Sequence, residues 1–205
     1  MKALVTGIAA LAILLSGCSQ RSVPLPANVS TGTLAGERVL DSIDYAWVGV
    51  EDRQALFQAS ERCAAKTLRF NSVILTDLTG PVFGPFTSFY YNRGNAEAVP
   101  GGSMILHTNK ESGLLVGQGS LDQGGGLAES AKVVRYTVVI ESEDRGARMT
   151  FGDIREARRY TGFQTNRGFG PVAATAPAEE VVRGIDETAQ ALAACMGLSP
   201  AESES

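Results

Sequence analysis

Histidine is almost missing from this 205-residue chain: His107 stands alone, and only three cysteines accompany it. Protein sites for transition metals draw mainly on His and Cys ligands, so these counts remove the common recipes, and neither a metal nor a cofactor is expected. Any Ser-His-Asp or Cys-His nucleophile would have to use His107. It follows Leu106 in a predicted strand, with no cysteine or metal-spaced partner beside it, and reads as a structural residue. An excess of positive charge is missing as well. Lys and Arg number 18 against 22 Asp and Glu, a formal charge of −4, which is not the balance of a dedicated nucleic-acid binder. Long apolar runs are missing too. The longest, Ala3 to Leu15, has about thirteen residues, short of a ~30 Å hydrocarbon core at 1.5 Å per residue. What remains, 44% hydrophobic and 20% charged residues, suits one globular domain with a core of its own and excludes a collagen, a coiled coil or a wholly disordered chain.

The short apolar run has a different use. Met1-Lys2 supplies a positive start, and Leu15-Ser16-Gly17-Cys18 closes the run, so residues 1–17 read as a signal peptide. The segment resembles bacterial lipoprotein precursors. That resemblance implies cleavage before Cys18, a diacylglyceryl group on its thiol and a further acyl chain on its new amino terminus. At about 0.8 kcal/mol per buried methylene, several chains would hold the protein on a membrane. Ser19, where the Gram-negative sorting scheme reads aspartate as a retention signal, is compatible with the outer membrane and a domain facing the periplasm. Loss of Lys2 with the signal peptide moves the formal charge from −4 to −5.

Residues 18–41, rich in Ser, Thr, Pro and Gly, read as lipid anchor and flexible tether. Residues 42–197 read as a single domain, and 198–205 as a frayed acidic tail. Within the domain, Ile43, Tyr45, Trp47 and Gly49 alternate with other residues as a first strand. Glu51 and Asp52 open a helix running to about Arg69, and Phe70 to Thr76 is a second strand. Met104–Thr108 and Gly113–Gly119 form two more, and Ala131–Glu141 pairs as a hairpin with Ala147–Ile154 through Asp144-Arg145-Gly146. In Ala131–Glu141, Val134, Tyr136, Val138 and Ile140 share one face, the pattern of a sheet with one buried side. The last helix spans Ala178 to Met196, with an apolar stripe from Val181 to Met196 and Gly197 at its C-terminal cap. Cys63 and Cys195 sit beside the buried faces of the two helices, and an oxidising periplasm makes a disulfide between them the first expectation. Two separately buried thiols are the alternative.

Three segments together resemble a bacterial family of unknown function that is common in exported proteins: Asp52 to Ala65, Ser112 to Leu121, and the hairpin Val133 to Ile154. The resemblance covers roughly residues 45–160 and implies a TATA-box-binding-protein-like or helix-grip-like α+β fold, a curved antiparallel sheet with two helices on one face. The chain departs from the family pattern in an insertion near 77–102 and in the order Asp144-Arg145-Gly146. The family supplies no catalytic residues, and its fold name does not imply DNA binding.

Candidate chemistry is sparse. Gly117, Gly119 and the run Gly124-Gly125-Gly126 lead into a strand rather than a helix N-terminus, unlike a phosphate loop. Asp122 and Glu141 can be nominated as a carboxylate pair for an envelope hydrolase, the least favoured reading. Two other stretches stand out. Phe83, Phe86, Phe89, Tyr90 and Tyr91 fall within nine residues; they either cover the sheet or form a contact surface for an envelope protein or membrane. Arg145 to Arg167 carries six arginines against Asp153 and Glu156. There Arg155, Arg158 and Arg159 are candidate contacts for an anionic group or glycan; a solvated face is the alternative. The expectation is a non-enzymatic binding or envelope-assembly module, with a carrier of an apolar or amphiphilic ligand between sheet and helices as the alternative.

Overall fold

In a computed structural model of the chain the described residues are 24–79, 81–83, 90–92, 94–124 and 131–201, with the backbone alone for 81–83 and 90–92. Residues 1–17, Cys18, Phe86, Phe89 and residues 202–205, all of which carry sequence expectations, lie outside them.

The main sheet is built from β1 (Val29–Leu34), β2 (Glu37–Val48), β7 (Ile105–Asn109), β8 (Leu114–Gln123), β9 (Lys132–Glu143) and β10 (Gly146–Arg158). Their order is β1-β2-β10-β9-β8-β7, all antiparallel. Two short strands extend it: β11 (Gly170–Pro171) on β10 and β12 (Ser199–Pro200) on β2. The centre is the β9–β10 hairpin expected from the alternation, with Ile140 opposite Met149 and Val138 opposite Phe151. These side chains are fully buried on one face.

Two helices cover that face. In α1 (Arg53–Thr67) the Asp52 carboxylate caps the first turn by accepting the Ala55 N–H at 2.8 Å, which satisfies one of the otherwise orphaned amides. In α2 (Ala178–Met196) Val181, Val182, Ile185, Ala189, Leu192 and Met196 are buried as one stripe, and Gly197 takes a left-handed φ of 72° to close the helix. Together with the inward residues of β2, β8, β9 and β10 they form one continuous core. The disulfide joins Cys63 of α1 to Cys195 of α2 across a sequence separation of 132 residues. Gly117 and Gly119 serve this packing: a Cβ at Gly117 would press on Leu68, and one at Gly119 would collide with the Tyr136 ring.

The structure departs from the sequence reading in three places. The tether does not extend to Asp41. Leu25 and Val29 already pack on the core, and β1 pairs with β2 through a two-residue turn, Ala35-Gly36, with φ of 50° and 85°. Positive φ at both central residues matches the right-handed twist of the flanking strands, and backbone pairing outweighs the polar composition. The tail is ordered further than expected. Leu198 is buried, and Ser199-Pro200 pairs with Trp47 and Val48. The third departure is β3 (Val73–Asp77), which was read as part of the main sheet. It pairs instead with β6 (Asn95–Val99). Val73 and Leu75 pack with Val133 and Ala157 in a second, smaller cluster, on the face of the sheet opposite the helices.

The disulfide closes a long loop, worth about 5 kcal/mol of unfolded-chain entropy and less in practice. Replacing both Cys63 and Cys195 by Ser is expected to lower the stability from urea unfolding by about 2–5 kcal/mol. An unchanged unfolding midpoint would remove the clasp from the account.

Candidate anion pocket on the open face of the sheet

The site begins with one extra residue. From Gly152, opposite Thr137, the β10 register jumps to Arg155 opposite Arg135. Three steps on β10 thus match two on β9, a β-bulge. Before it, Ala147, Met149 and Phe151 point to the helices; after it, Ile154 does, and Ala157 joins the cluster on the other side. Successive strand side chains alternate faces, so the extra residue reverses the parity and delivers Arg155 to the open face instead of the core. The backbone turns at Asp153, whose φ of 47° is a left-handed conformation that Asp tolerates better than most residues. Its carboxylate accepts from Arg155 Nε at 2.7 Å.

Two arginines therefore stand directly opposite each other, a cross-strand arrangement that like charges disfavour. Arg135 is unusual in itself. Its guanidinium lies over two rings, Phe70 at 4.6 Å and Phe169 at 4.5 Å, a pair of cation–π contacts. Its Nη2 donates to the carbonyls of Pro100 at 3.0 Å and of Asn71 and Val99 at 3.4 Å. Its Nε is buried without a hydrogen-bond partner, and no carboxylate pairs with it among the described residues. Burial pulls its pKa below the usual arginine value, since removing water disfavours the charged form. Around it opens a cleft of about 280 Å³, walled by the two phenylalanines and reached by Gln118, Thr137, Asp153 and Arg155.

The sequence candidates separate here. Arg155 enters the cleft. Arg159 pairs with Asp122 across the sheet, and Arg158 lines a separate groove with Arg167. Arg148 lies 3.8 Å from Glu143 and Lys132 2.8 Å from Glu156, so much of the local positive charge is matched on the surface. Asp122 and Glu141 do not form a catalytic pair. Their partners Val133 and Leu114 put them eight positions apart along β8, roughly 26 Å at strand rise, beyond the spacing glycoside chemistry uses. His107 lies exposed in β7. In the aromatic stretch, β4 (Pro81–Phe83) and β5 (Tyr90–Asn92) form a hairpin with Phe83 opposite Tyr90 and Val82 opposite Tyr91. Arg135 carries no sequence expectation, since its neighbour Phe169 lies 34 positions on.

The layer that supplies this wall is tied down by one carboxylate. Asp77 Oδ1 accepts from the Thr79 hydroxyl at 2.6 Å, the Thr79 N–H at 3.0 Å and Asn95 Nδ2 at 3.0 Å. Its Oδ2 accepts from the Asn166 N–H at 2.9 Å. The Asn166 amide first, then Thr79, hold this carboxyl well below the usual carboxylate range. The Thr76 N–H donates to the Arg159 carbonyl at 2.8 Å and the Leu78 N–H to that of Gly162 at 2.7 Å, so β3 is joined to the segment that leads to Phe169.

No family model and no curated protein matches the chain in sequence. Among solved structures it is similar in fold to a DUF4468 family protein from Bacteroides ovatus, with a TM-score of 0.50 and 9% identity over 84% of this chain and 94% of that one. A TBP-like protein from Parabacteroides distasonis aligns at a TM-score of 0.41 and 11% identity, over 84% of this chain and 97% of that one. The α+β architecture, a mostly antiparallel sheet with two helices, is shown, and its likeness is to an uncharacterised bacterial domain.

Because the folded Asp77 carboxyl ionises at lower pH than the unfolded one, its contribution is complete above the usual carboxylate pKa and is lost as pH falls through the folded value. Asp77→Asn is expected to destabilise the protein at pH 7, with the gap from wild type narrowing as the pH is lowered towards 2. Urea midpoints across that range test this; a gap independent of pH would contradict it.

Proposed function

We propose that the chain is a membrane-anchored periplasmic lipoprotein, on the outer membrane, whose domain is a non-enzymatic binding module of the cell envelope. The observation that carries the binding part is the cleft itself: Arg155 is brought opposite Arg135 by a bulge, and Arg135 has no carboxylate partner among the described residues. A half-buried cation held against two rings and left without an anion fits recognition of an external anionic group. The anchoring part rests on Leu15-Ser16-Gly17-Cys18. Packing of Leu25 on the core shortens the span from Cys18 to seven residues, roughly 25 Å when fully extended. An acylated Cys18 would therefore keep the domain close to the bilayer, within reach of partners at the membrane surface. The aromatic hairpin of β4 and β5 is a second candidate contact for an envelope protein.

The carrier reading has less support. The space between sheet and helices is filled by Phe151, Met149, Leu56, Leu192 and their neighbours. A cleft of about 330 Å³ lies at its margin, where Pro26 and Asn28 meet Tyr45, Val182 and Arg183. Burial, and then the Asp186 carboxylate, hold the Tyr45 hydroxyl above its usual range.

Cys18→Ala is expected to move the protein from the membrane to the soluble fraction of the native host; continued membrane attachment would refute the anchor. Crosslinking in that host followed by mass spectrometry is expected to recover partners from wild type that are lost from Arg155→Gln or from the Phe83, Phe86 and Phe89 to Ala variant. Identical partner sets from all three proteins would refute the assignment of these surfaces.

A further inference from the structure

We infer that the Arg135–Arg155 cleft is a binding site for a small organic monocarboxylate carrying an apolar or aromatic body. This deepens the binding-module reading and rests on it. The charge inventory selects the class. The cleft has two guanidinium groups, Arg135 and Arg155, and one carboxylate, Asp153, which leaves a single positive charge. A monoanion balances it, whereas a phosphate dianion would reverse its sign. Arg155 is also the more exposed of the two cations, with 56% of its side-chain surface open, so it can approach an incoming group while Arg135 stays fixed.

Geometry sets the rest of the ligand. Phe70 and Phe169 both lie against the Arg135 guanidinium, 4.6 and 4.5 Å from it, and a planar carboxylate pairs best with such a group along its N–H edge. The same two rings wall the cleft and offer an apolar surface to the body of the ligand. Gln118 already donates to the Ser103 carbonyl at 2.6 Å. The Thr137 side chain, between Gln118 on β8 and Gly152 on β10, adds a hydroxyl to the floor. A volume of about 280 Å³ is at the lower end of ligand pockets and suits a group of about one ring, not a polymer.

Strain points to the same place. A left-handed Asp153 opposes folding and lies at this cleft.

The test is isothermal titration of the full chain in detergent micelles with benzoate, benzamide and inorganic phosphate at matched ionic strength. Benzoate is expected to bind saturably, with a Kd on the order of 1 mM for a ligand of this size. Benzamide and phosphate are expected to bind at least tenfold more weakly. Arg155→Gln, at an exposed position, is expected to weaken benzoate at least tenfold. Arg135→Lys keeps the charge but loses the planar fork and is expected to weaken it as well. No saturable benzoate binding, equal binding of benzamide, tighter binding of phosphate, or an unaffected Arg155→Gln variant would each overturn the proposal. Crosslinking of the Arg155→Gln protein decides the broader reading separately: partner loss there, with no benzoate binding here, retains a binding module and rejects the monocarboxylate.

Discussion

The bulge at Asp153 sets which side chains of β10 belong to the core and which to the open face. Before it, odd-numbered residues such as Met149 and Phe151 pack beneath the helices; after it, Ile154 takes their place and Arg155 and Ala157 turn outward. An uninterrupted strand would carry Arg155 into an apolar core, where an unpaired charge costs several kcal/mol. One residue in a left-handed conformation, at a cost of order 1–3 kcal/mol, avoids that penalty. It also places Arg155 against Arg135, so the same distortion that makes the strand compatible with the core builds the cleft.

A two-faced sheet with both helices on one side leaves the other face to be managed. Here it is divided. Val133 and Ala157 are covered by Val73 and Leu75 of the small β3–β6 sheet, which Asp77 anchors to the segment after β10. Among the described residues the adjoining region is left uncovered, and Arg135 stands at the boundary. Its bonds to the carbonyls of Asn71, Val99 and Pro100 hold the covering layer, and of the rings that flank it Phe70 comes from just before β3 and Phe169 from the segment after β10. Arg135 is thus both a pin for the second layer and a cation facing the cleft.

The parts of this arrangement that sequence made legible are those fixed by local periodicity. Helix α2 keeps the bounds read from its stripe, because the acidic first turn, the seam from Val181 to Met196 and Gly197 all agree. The β9–β10 hairpin was equally plain, and on β9 the inward residues Val134, Tyr136, Val138 and Ile140 are the ones alternation picked. Pairings between distant or weakly patterned segments were not legible. β6 reads Asn-Ala-Glu-Ala-Val and is mostly exposed, so nothing in it announced a partner for β3. The Ala35-Gly36 turn lacks the Asn-Gly or Asp-Gly signature of a tight hairpin, and β1 was hidden in a polar stretch as a result. Of the arginines singled out, Arg155 reached the cleft, while Arg135 was passed over because its meaning comes from Phe169 and a register shift on the neighbouring strand.

The central claim is that the bulge and the two rings create a carboxylate site on the open face. Intermolecular nuclear Overhauser effects between bound benzoate and the protein test it most directly. The account predicts contacts from the benzoate ring protons to the Phe70 and Phe169 rings and to the Thr137 methyl group. Contacts confined to the Tyr45 margin of the helix layer, or none under saturating benzoate, would contradict it.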